Sequence, residues 1–461
     1  MSLSESLEPK LDEIERLADE WYGIFLRTNG FTFDDDGAIV LIPSSPQNQP
    51  TLGGSLDQRD RDELERLMRE NWRAFQDSVA ELKERFRAFY DLVPLDYTVR
   101  AGMLGGQSGG APVDDLPPTN IYERLTYAYE RWVSRVDGMI NQGQWSGDAA
   151  RVFHEQFLFP FHGALERQRA FVIALGLTVQ SYHDSIAEAH ELLLGIADAC
   201  IARLSGDVTG NESDLTVAGL ASLVAGAIAL YPPLGTAAGL ISLGIGVPSF
   251  LAAELGSADD TPRQLQVTGS RATEIIESTW QAIVALEQRM GDLDETLWRG
   301  LNQDLASSQS FANPGLRLDR PDLADQRGSF GRLTIQSQPG VPLESNAVVA
   351  SIVEIYEAGY VNLPGAAGQY DQAVADLYWC SLPGSLPRFY PRSVPAFYEA
   401  QDVLGGTLGS TRDSMIDAGH ALVQVALGYE LSDAETAEVM RQVGAFEPPS
   451  IEVETPRVGG V

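Results

Sequence analysis

Cysteine is nearly missing from this 461-residue chain, which holds only Cys200 and Cys380. Neither has a Cys-x-x-Cys partner or metal-ligand spacing, so zinc and dithiol redox motifs are excluded. Two buried free thiols are expected; in an oxidising compartment they could pair, and the sequence leaves open whether they meet. Basic charge is scarce as well. There are 32 Lys and Arg against 65 Asp and Glu, a formal net charge of -33. Nucleic-acid binding rests on neutralising phosphates, so nucleic acid is not an expected partner. Anionic membrane surfaces are disfavoured as global partners for the same reason. The plain reading of the excess acid is that it keeps the chain soluble. The first 25 residues, "MSLSESLEPKLDEIERLADEWYGIF", lack a basic stretch followed by an apolar one, so no Sec or Tat signal is expected there. Export would then need a route that reads a folded or internal signal.

Catalytic patterns are equally thin. The five histidines are His154, His162, His183, His190 and His420. His183 and His190 share a helical face near Asp184 and Glu191, yet no His-Glu-x-x-His or other ligand spacing occurs, and a solvated face is the simpler reading. The glycines of 239–246, "GLISLGIG", have no P-loop lysine and read as helix packing. Asp34, Asp35 and Asp36 sit where a hairpin turn is expected, and Asp favours such turns. No enzyme, metal site or cofactor is expected.

What the chain does have is helical periodicity. Its length suggests more than one core, and the pattern divides it into six parts. Residues 1–95 form a helix, β-hairpin and helix unit, with Leu11, Ile14, Leu17, Trp21 and Ile24 or Phe25 as the first helix's apolar stripe. "NGFTFDDDGAIVLIP" carries the hairpin signal, and a second helix is expected over 57–93. Residues 96–118 are rich in Gly, Pro and Asp and read as a linker. Residues 119–305 hold a helical hairpin. Its first helix, 120–142, starts at an Asn120/Glu123 capping pair and bears Ile121, Leu125, Trp132, Val136 and Met139. Its second helix carries a heptad-like seam, Val172, Leu175, Val179, Tyr182, Ile186, Ala189, Leu193 and Ile196, and Pro160 is expected to kink it. A further helix over 266–304 carries Ile275, Ile276, Trp280, Ile283 and Leu286. Residues 306–345 are a second linker, 346–447 a C-terminal helical unit, and 448–461 a tail. The expected fold is mainly α: an elongated bundle of helix-turn-helix hairpins with one small N-terminal β-hairpin and one apolar helical hairpin.

That apolar hairpin is residues 215–256, which carry no charge before Glu254. Pro232 and Pro233 split it into arms of about 16 and 20 residues, roughly 24 and 30 Å if helical. The Gly235-x-x-x-Gly239 pair would let helices approach closely. The first arm is short for a membrane span and Pro248 interrupts the second. A buried core hairpin, conditional membrane insertion and a permanent anchor all stay open.

Between the two long helices of the first hairpin stands "GQWSGDAARVF". A helical corner must leave the helical path within a few residues, and Gly147 accepts the backbone angles this needs. Asp148 can cap the second helix, and Trp145 can close the seam with a large flat surface. Ala149 and Ala150 let the helices start close together. With its flanks, "NQGQWSGDAARVFHEQF" resembles the Trp-x-Gly (WXG) superfamily of type VII (ESX) secretion substrates, as a large multi-domain actinobacterial member. The matched positions are Trp145, Gly147, Ala149, Ala150 and Phe153. The family's export motif, Tyr-x-x-x-Asp/Glu, is absent at Tyr182, where Ile186 follows. It is matched by Tyr429 and Asp433, after a seam of Leu408, Met415, Leu422 and Val425. A capping box at Ser432 and Glu435 competes with that reading. The C-terminal unit has Trp379 near its turn but no Trp-x-Gly.

The resemblance implies a non-enzymatic secretion substrate acting in the cell envelope or outside, cytoplasmic before export. Its partners would be the type VII machinery and possible pairing with a small WXG protein or with itself. Two alternatives stand beside it: a membrane-active helical pore or channel protein using 215–254, and a cytoplasmic structural or chaperone-like bundle.

Overall fold

The computed structural model describes residues 2–34, 36–42, 58–105, 118–146, 148–206, 215–216, 264–265, 267–306 and 352–428. They form an elongated, mainly helical bundle with a two-stranded antiparallel sheet near the start. Helix α1 (Leu3–Thr28) opens with a full capping box, in which the Ser2 hydroxyl accepts from the Glu5 N–H and the Glu5 carboxylate accepts from the Ser2 N–H. Strands β1 (Phe31–Phe33) and β2 (Ile39–Leu41) pair Phe31 with Leu41. Their turn uses Asp34, whose carboxylate accepts from the N–H groups of Asp36 and Ala38, with Gly37 in the left-handed region.

Helix α2 (Gln58–Arg87) returns along α1. Lys83 crosses between them to Asp12 and Glu15, and Arg87 reaches Glu8. A short helix α3 (Pro94–Leu104) follows. The first hairpin then begins with α4 (Ile121–Tyr127), a π-helical turn (Ala128–Val133) and α5 (Ser134–Asn141). Its second limb is α6 (Asp148–Phe153), a π-helical turn (His154–Leu158) and α7 (Phe159–Ser205). At 47 residues, α7 is about 70 Å long and forms the axis of the molecule. Helices α1, α3, α8 (Ala272–Ala306) and α10 (Ser393–Gly428) all pack on it. Helix α9 (Leu363–Trp379), preceded by a π-helical turn (Ala358–Asn362), lies between α10 and α4.

The seam expected along the second limb is buried at every named position, from Val172 to Ile196. The structure adds more, because every residue from Ala170 to Tyr182 is buried. A helix apolar all round belongs in the middle of a bundle, and α7 is surrounded rather than paired along one stripe. Pro160, where a kink is expected, lies inside the limb at the start of α7. It follows the π-helical turn His154–Leu158 by two residues, and Pro364 follows the π-helical turn Ala358–Asn362 by the same interval. Proline offers no N–H and its ring crowds the preceding turn, and a widened turn removes both conflicts.

Three further expectations need correction. On α1 the stripe ends on Tyr22 and Leu26, while Ile24 and Phe25 are exposed. Helix α2 and the β-hairpin cover the first face, and Tyr22 packs on Trp72 and Phe75. The 96–118 linker begins as a helix, since α3 buries Tyr97, Ala101 and Leu104 against α7. Its glycines end that helix at Gly105 (φ 118°). At residue 120 the capping is shared: Asn120 Oδ1 accepts from the Glu123 N–H, whereas the Glu123 carboxylate turns to the N–H and hydroxyl of Thr119. The 306–345 linker lies almost wholly outside the described residues, as does the 448–461 tail.

Candidate functional site

The corner of the first hairpin is built from both helix ends. The Gly143 N–H donates to Ile140 O at 3.0 Å, and the Gln144 and Trp145 N–H groups donate to Met139 O at 3.0 and 3.3 Å. Gly143 has φ 70°, so it is the glycine that turns the chain off the helix. The sequence reading gave that task to Gly147, which lies outside the described residues; the helix-ending signal was the glycine directly after "INQ". Trp145 is 4% exposed, and its ring stands 5.7 Å from Phe153. From there a row of rings runs down the second limb, Phe153 to Phe157 at 5.2 Å and Phe157 to Phe161 at 6.2 Å, then across to Tyr370 of α9 at 6.4 Å. Steps of four place these rings on one helix face. Ala150 is buried and Ala149 half-buried, so the limbs meet closely at their start.

Below the corner, polar groups join α7 to the C-terminal unit. Gln168 donates to Thr411 Oγ1 at 2.8 Å and accepts from Tyr370 Oη at 3.0 Å. Tyr182 Oη donates to Ser393 Oγ at 2.8 Å, and Tyr390 Oη to Ser185 Oγ at 2.7 Å. Burial holds the three phenols well above their ordinary range, which keeps them neutral donors. Asp294 of α8 is buried and accepts the N–H groups of Arg392 and Ser393 at 3.1 and 2.7 Å. It therefore caps α10 from a different helix. Sequence reasoning missed these groups; their only trace was Gln and Ser inside an otherwise apolar run. Tyr182, which occupies the export-motif position of the first hairpin without its acidic partner, is committed to this internal joint.

The C-terminal unit is a second antiparallel hairpin, with Leu408, Met415, Leu422 and Val425 buried as expected. Its corner differs from the first, since Trp379 is 60% exposed and a long turn with a 3-10 segment (Leu386–Arg388) links the limbs. The helices touch at Gly359 and Gly419, where a Cβ on Gly359 would stand 2.5 Å from the Gly419 carbonyl oxygen. Helix α10 is described as far as Gly428, and Tyr429 and Asp433 lie outside the described residues. So do Pro232, Pro233, Gly235 and Gly239. Of the apolar section only Leu215–Thr216 are described; they form β3 and pair with β4 (Gln264–Leu265), which lies beyond the section's end. Among the described residues no helix is long and apolar enough to cross a membrane.

An open groove of about 680 Å³ lies between α2, α8 and the turn before α10. Within it Arg85 pairs with Glu287 and lies 4.4 Å over Trp280. Among the described residues no cluster of three or more His, Cys, Asp or Glu could hold a metal ion. His183 Nδ1 is 2.7 Å from Asp184, while burial holds His190 below its ordinary range. Both cysteines are free and buried, with the Cys200 thiol pushed up to about 11 and that of Cys380 to about 12. Neither is a ready nucleophile. Gly106, Ser108 and Gly110 have the Gly-x-Ser-x-Gly spacing of a nucleophile elbow. They follow helix α3, whereas an elbow follows a strand, and they lie outside the described residues. No protein-family model, curated protein or solved structure matches this chain.

Proposed function

We propose that this chain is a non-enzymatic secretion substrate of the type VII (WXG) kind, exported as a folded helical bundle to act in the cell envelope or outside. The observation that carries the reading is the Trp145 corner. A buried tryptophan closes an antiparallel hairpin and heads a row of stacked rings. The hairpin's open face is covered by α9 and α10 of the same chain, which takes the place a small WXG partner would otherwise fill. Tyr429 and Asp433, directly after α10, are the residues the secretion machinery would read. The test is to blot supernatant, envelope and cytosol of the native host for wild type, Tyr429→Ala and Asp433→Ala. Export of wild type with retention of both variants supports the proposal. Wild type found only in the cytosol overturns it and leaves the corner as a structural device.

One observation favours a membrane-active role for the apolar section. Pairing of β3 with β4 holds the chain on the two sides of the apolar section together, a neck that a releasable hairpin would need. Leakage of dye from liposomes by wild type, lost in Gly239→Glu, would support this; no lipid binding at neutral or acidic pH would remove it.

A further inference from the structure

Helix α3 is apolar on both sides. Tyr97, Ala101 and Leu104 face α7, yet Leu95 and Val99 are 69% and 58% exposed, and Val93 just before them is exposed too. Leu95, Val99 and the half-buried Met103 are four apart, a straight ridge about 12 Å long. A surface helix normally turns charged residues to water, and this second stripe has no partner among the described residues. The ridge does not stand alone. Arg100 donates to the Ser381 carbonyl and Ser385 donates to the Asp91 carbonyl, which fixes α3 beside the end of α9. There Tyr378 and Trp379 are also exposed, Tyr378 resting against Gly405 of α10.

The ridge is flanked by acid. Asp91 and Asp96 lie beside it, and Asp402 stands on α10 three residues before Gly405, against which Tyr378 rests. All three are exposed and none has an ion-pair partner among the described residues. Arg100, the cation nearest the ridge in sequence, is engaged with the carbonyls of Ser381 and Asp96. A second copy would bring acid to acid in a chain of formal charge -33, and an anionic membrane would be repelled in the same way.

We propose that the seam between α3 and the end of α9 is the docking surface for an amphipathic helix of a partner protein, with basic residues beside its apolar stripe. The exposed ridge would enter the groove of that helix. Trp379 would supply the buried anchor and the acidic rim would set orientation and on-rate. Nothing in this depends on whether the chain is exported.

The probe is a fluorescein-labelled helical peptide of Leu/Lys heptads, with a Leu/Glu peptide of the same length as its mirror. Each is titrated with the full-length chain at about 0.15 M salt, near physiological ionic strength, and followed by anisotropy. Wild type is expected to bind the Leu/Lys peptide and to ignore the Leu/Glu one. The variant Leu95→Ser/Val99→Ser/Trp379→Ser should bind about tenfold more weakly or worse. Leu64→Ser/Leu67→Ser, which alters exposed residues of α2, should bind as wild type. Asp91→Asn/Asp96→Asn/Asp402→Asn should bind more weakly and lose most of the salt dependence; it stands in if the first variant fails to fold by circular dichroism. Equal binding by the α3 and α2 variants would mean that the basic peptide reads only net charge, and would overturn the proposal. A dimer in light scattering that the α3 substitutions dissolve, or flotation with anionic vesicles that they abolish, would overturn the assigned partner.

Discussion

Replacing Trp145 with alanine tests whether the corner is held by its ring. The side chain is almost wholly buried, and a buried tryptophan removes on the order of 150 Å² more than alanine from water. At about 25 cal/mol per Å² this is about 4 kcal/mol, inside the range of about 3–5 kcal/mol for Trp→Ala in a core. The corner lies at one end of the hairpin, so the loss should first appear as local opening. Hydrogen exchange of the amides of 149–157 should accelerate by roughly 10³-fold, since each 1.4 kcal/mol is tenfold. The amides of 172–196, in the middle of the bundle, should change far less. Trp145→Phe keeps a ring facing Phe153 and should lose less than half as much. A double-mutant cycle with Phe153→Leu should return a coupling of about 0.5–1.5 kcal/mol for the ring pair. Exchange at 149–157 that stays at the wild-type rate in Trp145→Ala, or equal losses in the Ala and Phe variants, would refute this account.

Gly359→Ala places a methyl 2.5 Å from the Gly419 carbonyl oxygen and should cost about 1–3 kcal/mol by thermal unfolding. Gly409→Ala, where nothing lies within 4 Å, should be neutral or slightly stabilising; equal effects would argue against the close crossing. Asp294→Ala leaves the N–H groups of Arg392 and Ser393 without their acceptor, an expected loss of about 1–3 kcal/mol in urea unfolding. Asp294→Asn keeps one acceptor oxygen and should lose less, a ranking that a reversed order would contradict. His190 is held below its ordinary 6.5 by burial. Below pH 6.5 the unfolded chain takes the proton first, so this group's contribution is complete above 6.5 and declines as pH falls toward the folded value. The melting-temperature advantage of wild type over His190→Gln should therefore shrink between pH 7.5 and 5, and a constant difference would count against it.

Where apolar residues recur at helical intervals on one face, the elements were legible. The seam of α7, the stripe of α8 and the seam of α10 all lie where their spacing places them. The corner was legible too, because a large ring beside glycines between two periodic segments has few other uses. Misreadings came where one local signal outweighed another. The glycines of 105–110 hid an 11-residue helix, and the π-helical turn just before Pro160 had no signal of its own. The candidate site was legible only in its motif residues, of which Trp145, Ala149, Ala150 and Phe153 fall among the described ones.

The amino-acid sequence by itself determined which long segments are helical, where the first hairpin turns and that its tryptophan faces inward. Periodicity and backbone preference act over a few residues, so they can be read along one strand of text. Tertiary structure alone decided that α7 is enclosed on all sides, that Asp294 caps a helix about 100 residues further on and that Tyr182 is tied to Ser393. It also decided that the outer stripe of α3 is left open beside Trp379. These outcomes depend on which faces meet in space. That choice is made by summed burial across the whole bundle, which no local spacing encodes.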